Sequence, residues 1–201
     1  MPNHTAQLLT VTGPRESIAA LLALVVTSNS RLDQAVFFPM PAELINTQSP
    51  SDIIPDSKLP EAQAAYDKAL AEFDAKVAAK DPIALQAWCK PHQPVSYTRA
   101  RELKAKYGVI NWYEWASQNW GTKWGIYSAK ALGNGAFEYQ TAWSPATAFW
   151  RKVTQDYLGL IVKHEYADEG GNFVGYEAIK HGIVEERADY SWDSDAGLAI
   201  R

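Results

Sequence analysis

The sequence predicts an α+β fold, an antiparallel-rich sheet with helices on one face and a helical insertion. Three observations carry this reading. Runs of strand and helix type follow one another as β-α-β early and β-β-α-β-β late. Glycine-rich turns join the late strands to their neighbours, which makes those pairs antiparallel. Between the two series, residues 42–118 carry helical rather than two-residue periodicity. A ferredoxin-like sheet interrupted by a helical excursion accommodates the order. At 201 residues the chain is expected to form one domain, 1–201, with 42–118 inserted within it and 191–201 as a flexible tail.

The elements follow in order. Leu8 to Thr12 is a β-prone run closed by Gly13-Pro14. Pro14 suits a first helical turn, and Ile18, Leu21, Leu22 and Val25 then repeat at helical spacing. Ala35 to Phe38 reads as a second strand, stopped by Pro39 and Pro41. Polar, proline-containing residues from Asn46 to Lys58 predict a loop. From Pro60 to about Lys80 a helix is expected, with Tyr66, Leu70, Phe73 and Val77 on one stripe. A second helix spans Tyr97 to Tyr107, with Ser96 as N-cap and Gly108 just past its end. Asn111 and Glu114 have the spacing of a variant capping box for a short turn carrying Trp112 and Trp115.

Past Trp124 the period changes. Gly125 to Ala131 and Ala136 to Trp143 read as strands about a Gly133-Asn134-Gly135 turn. Ser144 and Pro145 have the residue types of an N-cap and a first helical position, followed by Phe149, Val153 and Tyr157 on one face. Leu160 to Tyr166 and Asn172 to Ile179 flank Asp168-Glu169-Gly170-Gly171, the clearest hairpin signal in the chain. Ile183 to Tyr190 adds a further strand.

Five of the eight tryptophans lie between positions 112 and 143. Tryptophan is large and wants a partner for its indole N–H, so the concentration means either an aromatic seam or an amphipathic recognition surface. Asn119, Trp120, Thr122, Lys123, Trp124 and Trp143 are therefore binding candidates. The rings offer stacking faces and Lys123 a cation. The competing reading has the rings filling the seam between insertion and sheet, with Asn119 and Thr122 satisfying turn backbone.

Charge is uneven along the chain. Residues 165–201 carry nine acids against three bases, hence −6, while residues 1–164 carry +2. An acidic end attracts basic protein surfaces and repels nucleic acid, so Asp168, Glu169, Glu185 and Glu186 are further binding candidates. The competing reading is a solvated face that keeps the protein soluble. Residues 1–14 lack a basic stretch followed by an apolar one, and apolar runs such as Ile18 to Val26 are too short to span a bilayer. A cytoplasmic location without membrane contact is expected.

Other chemistry is thinly supported. Cys89 and His92 supply two ligand types with no second pair at suitable spacing, so no metal and no cofactor is expected. Lys163, His164 and Glu165, with His181 or Glu138, offer acid–base residue types. On a strand, however, His164 and Glu165 point to opposite faces. No catalytic residue is assigned. The glycine pairs do not open a helix in a phosphate-binding pattern.

Met1-Pro2-Asn3, Leu9 to Pro14, the hexapeptide Asn119-Trp120-Gly121-Thr122-Lys123-Trp124, and Thr141-Ala142-Trp143-Ser144-Pro145, with Gly175 after the late hairpin, resemble the YubB-type family of accessory proteins carried on bacterial plasmids, phages and genomic islands. The chain departs from that pattern at His4 and Thr5, at Gly125 and at Ala146. The resemblance implies a ferredoxin-like region and a role in transfer, maintenance or evasion of defence; it implies no activity. The resulting expectation is a non-enzymatic accessory protein that binds a host protein or nucleoprotein complex, with counter-defence, such as inhibition of a CRISPR nuclease, as its form. The alternatives are a single-stranded nucleic-acid binder using the Trp–Lys segment and an enzyme with an unrecognised site.

Overall fold

A computed structural model describes residues 3–25, 32–49, 52–80 and 90–201. The chain divides into two compact units, Met1–Pro39 with Ala116–Arg201, and Met40–Trp115.

The first unit is a ferredoxin-like domain built on a six-stranded sheet. Its strands are β1 (His4–Thr12), β4 (Tyr127–Gly133), β5 (Ala136–Ala142), β6 (Ile161–Asp168), β7 (Val174–Lys180) and β8 (Ile183–Asp189). Their order is β4-β5-β1-β6-β7-β8, and every neighbouring pair is antiparallel. The first strand of the chain thus sits inside the sheet, between two strands from its later part. Alternation in β1 sends Thr5, Gln7, Leu9 and Val11 inward and leaves Ala6 and Leu8 outward.

Helix α1 (Arg15–Val25) buries Leu21, and α6 (Thr147–Asp156) buries Phe149, Trp150, Val153 and Thr154 as one stripe against the inner face. The turn at Gly133-Asn134-Gly135 has all three residues at positive φ, which explains its two glycines. The hairpin predicted at 168–171 joins β6 to β7 in the expected place.

Three local expectations are corrected. Ala35 to Phe38 is not a strand: Gln34–Phe37 is a single helical turn, α2, whose N-cap Asp33 accepts the Ala35 N–H at 2.9 Å. A four-residue apolar run carries no period of its own, so the cap decides. Helix α6 starts at Thr147, with Ala146 and not Ser144 at its N-cap; the Ser144 hydroxyl instead donates to the carbonyl of Gly121, 2.6 Å away. In place of a tail without regular structure, Asp195–Ile200 forms helix α7, capped by Ser194 through the Gly197 N–H. Ile200 and Arg201 line a cleft of about 550 Å³ with Ala6, Leu8, Glu138 and Glu165 on the sheet's outer face.

The second unit holds α3 (Leu59–Ala78), α4 (Tyr97–Tyr107) and two short parallel strands, β2 (Ile53–Ile54) and β3 (Val95–Ser96). Ser96 caps α4 through the Arg99 N–H at 3.3 Å, and Gly108 ends it in the left-handed conformation at φ 75°. Asn111 accepts the Glu114 N–H at 2.8 Å at the start of α5 (Trp112–Asn119), while Glu114 reaches back to the Ile110 N–H. The stripe Tyr66, Leu70, Phe73 and Val77 is half-buried. No described helix is long and apolar enough to cross a membrane.

Candidate functional site

The hexapeptide at 119–124 and the pentapeptide at 141–145 meet in space. After α5 the chain turns at Gly121, held at φ 81°, where a Cβ would lie 3.0 Å from the Ala148 amide nitrogen. Thr122, fully buried, places its hydroxyl within hydrogen-bonding distance of the carbonyls of Trp124 and Ala142, 2.9 and 3.1 Å away. Ser144 donates to the Gly121 carbonyl, and Thr141 donates to the Ser144 carbonyl at 2.7 Å. The two turns are thereby fixed to one another by side chains that each contains.

This junction sorts the tryptophans. Trp120 is 9% exposed and gives its indole N–H to the Phe38 carbonyl at 2.9 Å, so it packs inside the domain. Trp143 is 46% exposed. Its backbone sits at φ 72°, and its amide donates to the Asn3 carbonyl at 3.0 Å. A bulky residue in the left-handed region costs on the order of 1–3 kcal/mol and persists only where its surroundings impose it. The Lys123 ammonium lies 4.3 Å from the Trp143 ring centroid and 5.4 Å from that of Trp124. Lys123, Trp124 and Trp143 therefore form one shelf, and Asn119 is half-buried at the end of α5. Of the predicted tryptophan platform, the Lys123–Trp143 part reaches the surface and the Trp120 part does not.

The acidic candidates also separate. Asp168 is buried and accepts the backbone and side-chain amides of Asn172 within its own turn, and the side-chain amide of Asn3 just ahead of β1. Glu169 accepts the His4 amide at 2.8 Å. Glu185 and Glu186 are exposed on β8, the edge strand.

Behind the junction runs a buried polar chain that sequence reasoning missed. The Gln7 side-chain oxygen accepts the Ala146 N–H at 3.2 Å and the Tyr139 hydroxyl at 2.8 Å, and Tyr139 in turn accepts the Trp150 indole N–H at 2.8 Å. The same oxygen lies 3.3 Å from Nδ1 of His164, whose Nε2 lies 3.0 Å from Glu177. Both ring nitrogens thus lie within hydrogen-bonding distance of a side-chain oxygen, which fixes the plane of the ring. His164 is 0% exposed and Glu177 3%. Glu177 also accepts the Thr147 hydroxyl at 2.7 Å and pairs with Arg187 at 3.3 Å. Burial pushes the Glu177 carboxyl up, but His164, Thr147 and Arg187 outweigh it and hold it below the ordinary carboxylate range. Burial raises the Tyr139 phenol most and the Tyr166 phenol likewise.

One signal for this pairing was present. Residues 164 and 177 lie opposite each other in the register that the 168–171 turn imposes. Glu165 does point away, pairing with Lys163 at 2.9 Å on the outer face, so the acid–base set proposed around His164 is not assembled. Among the described residues no three His, Cys, Asp or Glu side chains come together to hold a metal, and Cys89 lies outside the described residues.

The polar chain ends on a cavity of about 450 Å³ beside the junction, lined by Gly121, Pro145, Arg151, Phe173, Glu177 and Arg187 among others. Arg187 binds Asp189 through two nitrogens, at 2.9 and 3.3 Å, and Tyr166 donates to the same carboxylate at 3.0 Å. The two turns that carry the shelf also contribute Gly121, Ser144 and Pro145 to the cavity wall.

Residues 119–199 match the family model of the ferredoxin-like domain in Api92-like protein. The crystal structure of a protein api92 from Yersinia pseudotuberculosis is similar over 94% of this chain and 98% of that one, at 10% identity and a TM-score of 0.45. No curated protein matches the sequence.

Proposed function

We propose that this chain is a non-enzymatic accessory protein of a plasmid, phage or genomic island that binds a host protein or nucleoprotein complex through the junction of its two turns. The observation that carries the binding part is Trp143, an exposed indole held in a costly backbone conformation next to Lys123. Exposed tryptophans on rigid supports are the residues that dominate interface energetics. The non-enzymatic part is supported by Glu177, whose oxygens are committed to His164, Thr147 and Arg187. The mobile-element part rests on the sequence resemblance, and counter-defence in the bacterial cytoplasm is the form we propose for it.

A second reading, a single-stranded nucleic-acid binder, is favoured by the placement of a cation directly against an exposed ring at Lys123 and Trp143. Affinity capture from a bacterial host with wild-type protein and Trp143→Gly tests the first reading, with single-stranded oligonucleotide as competitor. A protein retained by wild type, lost with Trp143→Gly and indifferent to oligonucleotide supports it. Retention by both forms alike overturns it, and loss to the competitor favours the second reading.

A further inference from the structure

We infer that the cavity between α6 and the β7–β8 edge receives a carboxylate side chain of the protein partner, held by Arg151. This deepens the partner-binding reading and rests on it. Hydrogen-bond accounting within the cavity carries it. The acidic groups in the wall are already committed: Glu177 to His164, Thr147 and Arg187, and Asp189 to Arg187 and Tyr166. Arg187 is spent on those same two acids. Arg151 is not. Its Nε donates to the Gly182 carbonyl at 2.8 Å, which fixes the plane of the guanidinium. Its two terminal nitrogens make no hydrogen bond or ion pair among the described residues. The cavity thus presents one oriented, uncommitted cation of the type that binds a planar anion through two parallel bonds.

The rest of the wall fits a short stem. Pro145, Ala148 and Phe173 offer carbon surface, and about 450 Å³ accommodates a side chain with an apolar neighbour. One uncommitted cation balances one negative charge. A phosphate monoester would add uncompensated charge beside Glu177 and Asp189, and a phosphodiester would bring flanking sugars on both sides. The fitting occupant is an Asp or Glu next to an apolar residue, with Trp143 at the adjoining shelf to receive the surrounding chain.

Nitrogen-15 NMR on the full chain tests this with three probes: N-acetyl-Glu-Phe-amide, its Gln counterpart and a thymidine dinucleotide. The Glu peptide is expected to shift the Arg151 Nε–H and the amides of Gly121 and Ala148 saturably. Its affinity should exceed that of the Gln peptide by at least about tenfold, equivalent to about 1.4 kcal/mol. Arg151→Gln, with an otherwise folded spectrum, should lose that preference. Equal affinity for the two peptides, an unchanged titration in Arg151→Gln, no saturable shift, or equal binding of the dinucleotide would each overturn the assignment. Should it fail while Trp143-dependent capture succeeds, the partner-binding reading stands and the carboxylate pocket alone falls.

Discussion

The hydroxyl of Ser144 donates to the carbonyl of Gly121 at 2.6 Å, across 23 residues of sequence, and so joins the turn before β4 to the turn after β5. With the Thr122 contact to Ala142, this bond determines where Trp143 and Lys123 stand. Ser144→Ala removes the donor and leaves a half-buried carbonyl unpaired. A loss of about 1–3 kcal/mol is expected, read as a lower urea midpoint, together with weaker capture of any Trp143-dependent partner. An unchanged midpoint would mean that the two turns hold their relation without it.

Trp120 and Trp143 should behave in opposite ways. Trp120→Ala empties a buried site and is expected to cost about 3–5 kcal/mol. Trp143→Gly relieves a left-handed backbone and removes little buried area, so stability should stay within about 1 kcal/mol of wild type. Thermal and urea melts of both variants decide this, and similar large losses in the two would place Trp143 in the core.

Glu177 predicts a defined acid limb. Its carboxyl is held below the ordinary range in the folded protein, so the unfolded chain binds the proton more readily. The stability it contributes is present above the unfolded value of about 4.3 and is lost as pH falls through the lower folded value. Urea midpoints measured from neutral to acid pH should fall in that window for wild type. In Glu177→Gln the midpoint should be lower at neutral pH, because Arg187 loses its buried carboxylate partner, and the acid limb should be flatter. Parallel profiles would exclude Glu177 as its source.

Tyr139→Phe removes one oxygen that serves both Trp150 and Gln7. The buried indole N–H then has no acceptor, and a cost of about 1–3 kcal/mol is expected. Adding Trp150→Phe should recover part of the hydrogen-bond loss, a coupling visible in a double-mutant cycle.

The acidic candidates can be separated by one comparison. Glu185→Ser with Glu186→Ser alters exposed edge positions and should leave the melting temperature unchanged. Asp168→Ser removes the acceptor that holds Asn172 and Asn3, and should lower it. If the acidic edge steers a basic partner, the Glu185/Glu186 variant associates more slowly at low salt and the difference fades at high salt.

What the sequence made legible was local. The caps of α4 at Ser96 and Gly108, and the hairpin between β6 and β7, depend on residues a few positions apart, and they stand where their spacing put them. Around Phe37 and Phe38 the short apolar run has no period of its own, and the deciding contact is the Asp33 cap. The division of the tryptophans was not legible, since Trp120 is buried through Phe38, which lies 82 residues away. The polar chain from Tyr139 through Gln7 to His164 requires β5, β1 and β6 to lie side by side. Strand order, unlike turn chemistry, leaves no local mark.

That strand order has a consequence during synthesis. Leu9 in β1 pairs with Phe137 and His164, so both neighbours of the first strand are made long after it. At roughly 5–20 residues per second on the ribosome, β1 emerges several seconds or more before Phe137 exists to pair with it. The intervening Met40–Trp115 unit lengthens that interval by its whole extent. Nascent chains should therefore present Leu9 and Val11 as an unpaired apolar edge, open to chaperone capture or to mispairing between neighbouring ribosomes on one message.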